Sequence, residues 1–184
     1  RHHLGPYTFA WEEEAATFIG LDDVIYQPGG TPAYFGGLRE DQFAFLQAYL
    51  PTVRKDRLLV IGVHIPFYES GARGFRPQDR ERLFAMLEDF PHVLLLSGHT
   101  HTQRHWYHDA STGWHGMRPL HEYNVGAACG AYWSGIKDAE GIPDTTMADG
   151  TPNGYARLRV DAGGAYALSW HPARDADGSG IGLH

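Results

Sequence analysis

Three imidazoles stand where two apolar runs end. Leu58-Leu59-Val60-Ile61-Gly62-Val63 leads into His64, and Val93-Leu94-Leu95-Leu96-Ser97-Gly98 leads into His99-Thr100-His101. Runs this continuously apolar suit strands covered on both faces of a sheet. Open α/β sheets hold their ligands at the carboxyl ends of such strands. Neutral imidazole is a ligand for zinc, iron and manganese. Alternation along an extended chain points His99 and His101 the same way, with Thr100 opposite. His64 reaches the same crevice from the neighbouring strand. A single His after a strand reads as a hydrogen-bonded core residue. Three side by side gain little unless they share a cation, because together they are poorly hydrated. His64, His99 and His101 are therefore the candidate metal ligands.

The remaining histidines and acids give a weaker signal. His105 and His108, on the next extended segment, read as surface or supporting residues. His121 either hydrogen-bonds a ligand or lines the cleft. Asp22 and Asp23 offer carboxylates, but acids at strand ends also bond turn amides.

The elements that must position these groups are legible from periodicity. Tyr7 to Trp11 and Ala16 to Leu21 read as a hairpin around Glu12-Glu13-Glu14. Gln27 to Pro32 is a loop. Arg39 to Tyr49 has helical spacing through Phe43, Leu46 and Leu50, and Pro51 stops it. Leu58 to Val63 is the first buried strand. Pro77 to Phe90 is a helix with Leu83, Met86, Leu87 and Phe90 inward, and His92 to Ser97 is the second buried strand. Strand, helix, strand in this order is a parallel crossover unit. Gln103 to His108, His121 to Ala127, Gly154 to Val160 and Ala165 to Trp170 read as further strands. The last two pair across Asp161-Ala162-Gly163-Gly164. The segment between Cys129 and Asn153 is rich in Gly, Pro and Asp, and a loop of that length is a place for function.

Composition narrows the class. With 42% apolar and 20% charged residues over 184 positions, the chain suits one globular domain. A net charge of −7 without a basic run argues against binding a nucleic-acid backbone. No apolar stretch is long enough for a transmembrane segment. Cys129 is the single cysteine, so it has no disulfide partner within the chain, and it reads as a small buried residue.

At this point the residues resemble a known family. Gly98-His99-Thr100-His101, with Val63-His64-Ile65-Pro66 behind an apolar strand, is similar to the C-terminal half of the calcineurin-like metallophosphoesterases. Tyr7 to Asp23 resembles the strand pair that follows that family's Gly-Asn-His motif. Asn124 to Gly130, Trp133-Ser134-Gly135 and Asp149 to Tyr155 resemble a bacterial branch that carries an additional C-terminal β domain. The resemblance implies an α/β fold, part of a four-layer α/β/β/α sandwich. It also implies a centre of two divalent or trivalent metal ions (Fe, Mn or Zn), with His64 and His99 on one ion and His101 on the other. The activity implied is hydrolysis of a phosphoester by in-line attack of water, between cations roughly 3.5–4 Å apart. The substrate would be a phosphorylated small molecule or lipid. Within the long loop, Trp133 is a candidate to stack on its organic part and Lys137 to meet its phosphate. His121 joins them as a candidate substrate contact. Members of that branch are often exported, which points to the bacterial periplasm.

The family's centre also uses an Asp-x-His, a bridging Asp from Gly-Asp-x-x-Asp and an Asn-His pair, and none of these stands in this sequence. The expectation is a piece of a larger enzyme. Residues 1–174 would be the C-terminal portion of a catalytic domain, and 175–184 a linker toward a further domain. Alone it would bind at most one divalent ion, weakly, and turn over phosphoesters poorly. Either Leu58 to Val63 or Tyr7 to Trp11 would expose a sheet edge. The competing expectation is a catalytically empty binding or interaction module of the same fold.

Overall fold

The computed structural model describes residues 6–130, 135–137, 139, 141, 143 and 146–173. The strands are β1 (Phe9–Glu12), β2 (Ala16–Gly20), β3 (Val24–Tyr26) and β4 (Tyr34–Gly36), followed by helix α1 (Glu40–Tyr49). Next come β5 (Leu58–Gly62), helix α2 (Pro77–Leu87), β6 (Val93–Ser97), β7 (Arg104–His108) and β8 (Leu120–Asn124). β9 (Gly154–Val160) and β10 (Tyr166–Pro172) complete the strands.

Six strands form one mixed sheet in the order β1-β2-β5-β6-β8-β7. β2, β5, β6 and β8 run parallel, and β1 and β7 close the two sides antiparallel. β5 therefore sits inside the sheet, with Ala16 opposite Leu58 on one side and Leu95 opposite Ile61 on the other. Of the two alternatives for an open edge, Leu58 to Val63 is excluded, and β1 is the edge strand. The Leu58-Leu59-Val60-Ile61 run has no exposed face because alternate residues enter different cores. Leu59 and Ile61 pack with Phe43, Leu46, Leu83, Phe84 and Leu87 under the two helices. Leu58 and Val60 pack with Ala16, Leu94, Leu158 and Leu168 under the β9–β10 hairpin. Helices, sheet and hairpin are thus stacked as three layers. This is a mixed α/β architecture consistent with part of a metallophosphoesterase sandwich.

Local chemistry explains the helix boundaries. The Arg39 amide bonds Gln42 Oε1 at 3.1 Å, while Glu40 and Asp41 complement the dipole in the first turn of α1. Pro77 takes the first-turn position of α2, where its missing N–H costs nothing. That helix ends at Leu87 rather than Phe90, and Phe84 replaces Met86 among its fully buried side chains. β3 and β4 pair as a small hairpin around the predicted loop. The 161–164 turn joins β9 and β10 with Tyr166 opposite Val160, as expected. Cys129 is half-buried and free.

Candidate metal centre

β5 and β6 are neighbours, so their carboxyl ends bring the two His-bearing loops together. The loops are bonded directly: Gly98 N–H donates to the His64 carbonyl at 3.0 Å. His64 Nε2 lies 3.1 Å from His99 Nδ1, with ring centroids 4.9 Å apart and the planes steeply crossed at 71°. At that separation two ring nitrogens share either a proton or a cation. Both rings are held below the ordinary imidazole range. For His64 the cause is partial desolvation and then His101; for His99 it is desolvation, then His64, His101 and Arg73. They remain neutral near pH 7, the form that coordinates a metal once their shared proton is displaced.

The backbone here differs from the expected continuation of a strand. β6 stops at Ser97, and both His99 (φ 71°) and His101 (φ 55°) adopt left-handed conformations. Each costs on the order of 1–3 kcal/mol, and such residues cluster at functional sites. Buried groups hold this shape. Asn124 Nδ2 donates to the Gly98 carbonyl at 2.6 Å, and the Thr100 hydroxyl donates to Asn124 Oδ1 at 2.9 Å. Asp23, fully buried, accepts the His64 and Ile65 amides at 2.8 Å each. Burial pushes its carboxyl up to about 6 against the pull of those amides. Asp23 is thus one of the turn-amide acceptors that strand-end acids supply. Asp22 accepts the Val24 amide at 3.4 Å and faces Arg39 at 3.2 Å.

The structure joins His64 to His99, while His101 stands within electrostatic reach of both rings. Among the described residues no group of three or more His, Cys, Asp or Glu side chains is assembled closely enough to hold a metal ion. The neutral His64–His99 pair fits part of the shell of one cation. The nearby buried carboxylate, Asp23, has both oxygens on backbone amides of the His64 loop. Tyr34 lies edge-on to His99 at 6.0 Å between centroids, and the Arg73 guanidinium sits over the Tyr34 ring at 5.7 Å. Neither residue stands out in the sequence, because both come from short loop-bounded segments.

Part of the long loop returns to the site. The Ala148 amide donates to the His101 carbonyl at 3.0 Å, and Gln103 N–H donates to Asp149 Oδ2 at 2.7 Å. Met147, buried, fills the space above Gly126 that a Cβ would take. Lys137 is exposed and bridged to Pro143. Trp133 lies outside the described residues, as do positions 174–184.

His121 is placed elsewhere. It precedes Asn124 by three residues on β8, about 10 Å along the strand. It belongs to a second imidazole pair, with its Nε2 2.8 Å from His105 Nδ1. Tyr166, pushed up to about 12 by burial, keeps its proton, and its hydroxyl is hydrogen-bonded to His121 Nδ1 at 2.6 Å. Burial and then His105 push His121 down to about 4. His105 is exposed and stacks on Tyr123, whereas His108 is fully buried against Glu122 at 2.8 Å.

Comparison with known proteins agrees with this architecture. Residues 122–183, about a third of the chain, match a family model described as the C terminal of calcineurin-like phosphoesterase. No curated protein matches the chain. The family match supports the calcineurin-like superfamily and, with it, the phosphoesterase class of hydrolases.

Proposed function

We propose that this chain supplies imidazole ligands to the metal centre of a phosphoester-hydrolysing enzyme, with His64 and His99 on one ion and His101 available to another. The observation that carries the reading is the 3.1 Å approach of two neutral ring nitrogens at adjacent parallel strand ends. Mixed nitrogen and oxygen ligation suits iron, manganese or zinc. When bound, such an ion supplies charge neutralisation at the phosphoryl oxygens and activation of water.

The chain's own residues contribute position and field. Strained backbone at His99 and His101 aims both rings before any ligand arrives. Arg73 adds positive charge beside His99, where a guanidinium can take two oxygens of a phosphoryl group. Tyr34 presents a ring edge to His99 and its face to Arg73, which fixes the guanidinium by a cation–π contact. Arg73 and Tyr34 therefore join Trp133 and Lys137 as candidate substrate contacts, with a phosphorylated small molecule or lipid as substrate.

A second reading, a non-catalytic module of the same fold, is favoured by one observation: the described residues assemble no group of three or more ligands. Metal titration together with turnover of a chromogenic phosphodiester separates the two. The enzyme reading expects one divalent ion bound per chain and slow but metal-dependent hydrolysis. No binding at millimolar Mn2+ or Zn2+ would leave only the module.

A further inference from the structure

The four residues that leave β5, His64-Ile65-Pro66-Phe67, own three backbone N–H groups, because Pro66 has none. All three are taken by carboxylates that are themselves fully buried. Asp23 accepts from His64 and Ile65, and Glu122 Oε1 accepts from Phe67 at 3.0 Å. Glu122 is anchored in turn. His108 Nε2 donates to its other oxygen at 2.8 Å, and His108 Nδ1 meets the Thr112 hydroxyl at 3.2 Å. Arg80 on α2 closes the circuit, with Nε donating to the Thr112 carbonyl at 2.9 Å and Nη1 to the Phe67 carbonyl at 3.2 Å. The five links form a closed ring of hydrogen bonds joining α2, the 110–112 turn, β7, β8 and the loop that begins with His64.

Burying a carboxylate and an imidazole between sheet and helix is an expensive way to fill a core, and apolar side chains of similar volume serve stability as well or better. The ring does something apolar residues cannot. It grips both polar groups of the Phe67 peptide position and so holds the far end of the loop whose near end is held by Asp23. We infer that Glu122, backed by His108, is a positioning residue that fixes the His64 imidazole for coordination. This rests on the reading of His64 and His99 as metal ligands. Partners bonded directly to a metal ligand set affinity by roughly 10–100-fold, which bounds what Glu122 contributes through the Phe67 peptide.

The test uses the whole chain, with amide hydrogen exchange measured without metal and Co2+ titration followed by its visible absorption. E122A should speed exchange of the Phe67 and His64 amides about tenfold or more and weaken Co2+ binding by up to about 100-fold. E122Q should stay near wild type in both. Its carbonyl can accept from Phe67, and its NH2 can donate to His108 Nε2 once that ring carries its proton on Nδ1. R80M leaves the buried Glu122 carboxylate its bonds to Phe67 and His108, and so it tests the ring even if E122A fails to fold. It should loosen the same loop to a smaller degree. Unchanged exchange in E122A and R80M would overturn the inference whether or not cobalt binds. So would an E122Q variant as impaired as E122A. Altered exchange in a protein that never binds Co2+ would instead sink the metal reading and, with it, the positioning role.

Discussion

Two imidazole pairs in this molecule have nearly the same contact and opposite settings. His64 and His99 approach to 3.1 Å, and His105 and His121 to 2.8 Å. The second pair lies on regular antiparallel strands, with rings almost parallel at 22° and the Tyr166 hydroxyl hydrogen-bonded at one end. Its hydrogen bonds satisfy it. The first pair lies on loops, one ring carried by left-handed backbone, with buried Asp23 and Asn124 gripping the peptides on either side. Two histidines in contact do not make a ligand site. Strain upheld by buried polar partners distinguishes the pair that coordination would complete from the pair already complete.

The strongest way to break this comparison is to delete each pair. H64A/H99A should reduce Zn2+ or Mn2+ binding below calorimetric detection, while H105A/H121A should leave it unchanged. Equal losses from both would erase the distinction. Removing a support ranks next. N124A removes two hydrogen bonds, to the Gly98 carbonyl and from the Thr100 hydroxyl, and should cost about 1–3 kcal/mol in chemical denaturation, with metal affinity falling in parallel. Glycine sharpens the contrast at lower magnitude. H99G relieves a left-handed conformation and should stabilise the metal-free fold by up to about 1 kcal/mol. H121G, in a strand, should destabilise it by at least about as much. Same-sign shifts in melting temperature would show that the strain is not real.

The smallest expected effect is a pH dependence. His121 is pushed from its ordinary 6.5 down to about 4, so the fold prefers the neutral ring. Its contribution is complete above pH 6.5 and is lost as pH falls toward 4. Partial exposure screens this, so the slope should be shallow. Melting temperatures from pH 7 to 4 should fall less steeply for H121F than for wild type, and parallel curves would count against the assignment. His64 and His99 titrate in the same sense, but saturating Zn2+ should protect only that pair.

The sequence's local patterns reached some parts of this molecule and not others. The β5–α2–β6 unit was legible because each element is long enough to display its own period. The β9–β10 hairpin was legible because its turn chemistry is explicit. β3 and β4 are three residues each, too short to alternate. His99 and His101 were identified by type, but the extended backbone expected to carry them is absent. Alternation presumes extended backbone, and β6 ends two residues before His99. The groups that hold the site were hidden for another reason. Asp23 and His64 are 41 residues apart, and Phe67 and Glu122 are 55 apart. Bonds of that span leave no mark on local pattern. His108 was read as surface or support for the same cause, since its burial depends on Glu122 across the β7–β8 ladder.

The open edge of β1 gives the molecule a built-in reporter. Trp11 lies between Phe9 at 5.8 Å and Phe18 at 4.6 Å, with 45% of its surface in solvent. Its indole emission should shift to the blue whenever something dry covers that rim. The chain has four other tryptophans, so the difference in emission between wild type and W11F would then register lateral addition of a strand, without a label and at concentrations far below those that scattering requires.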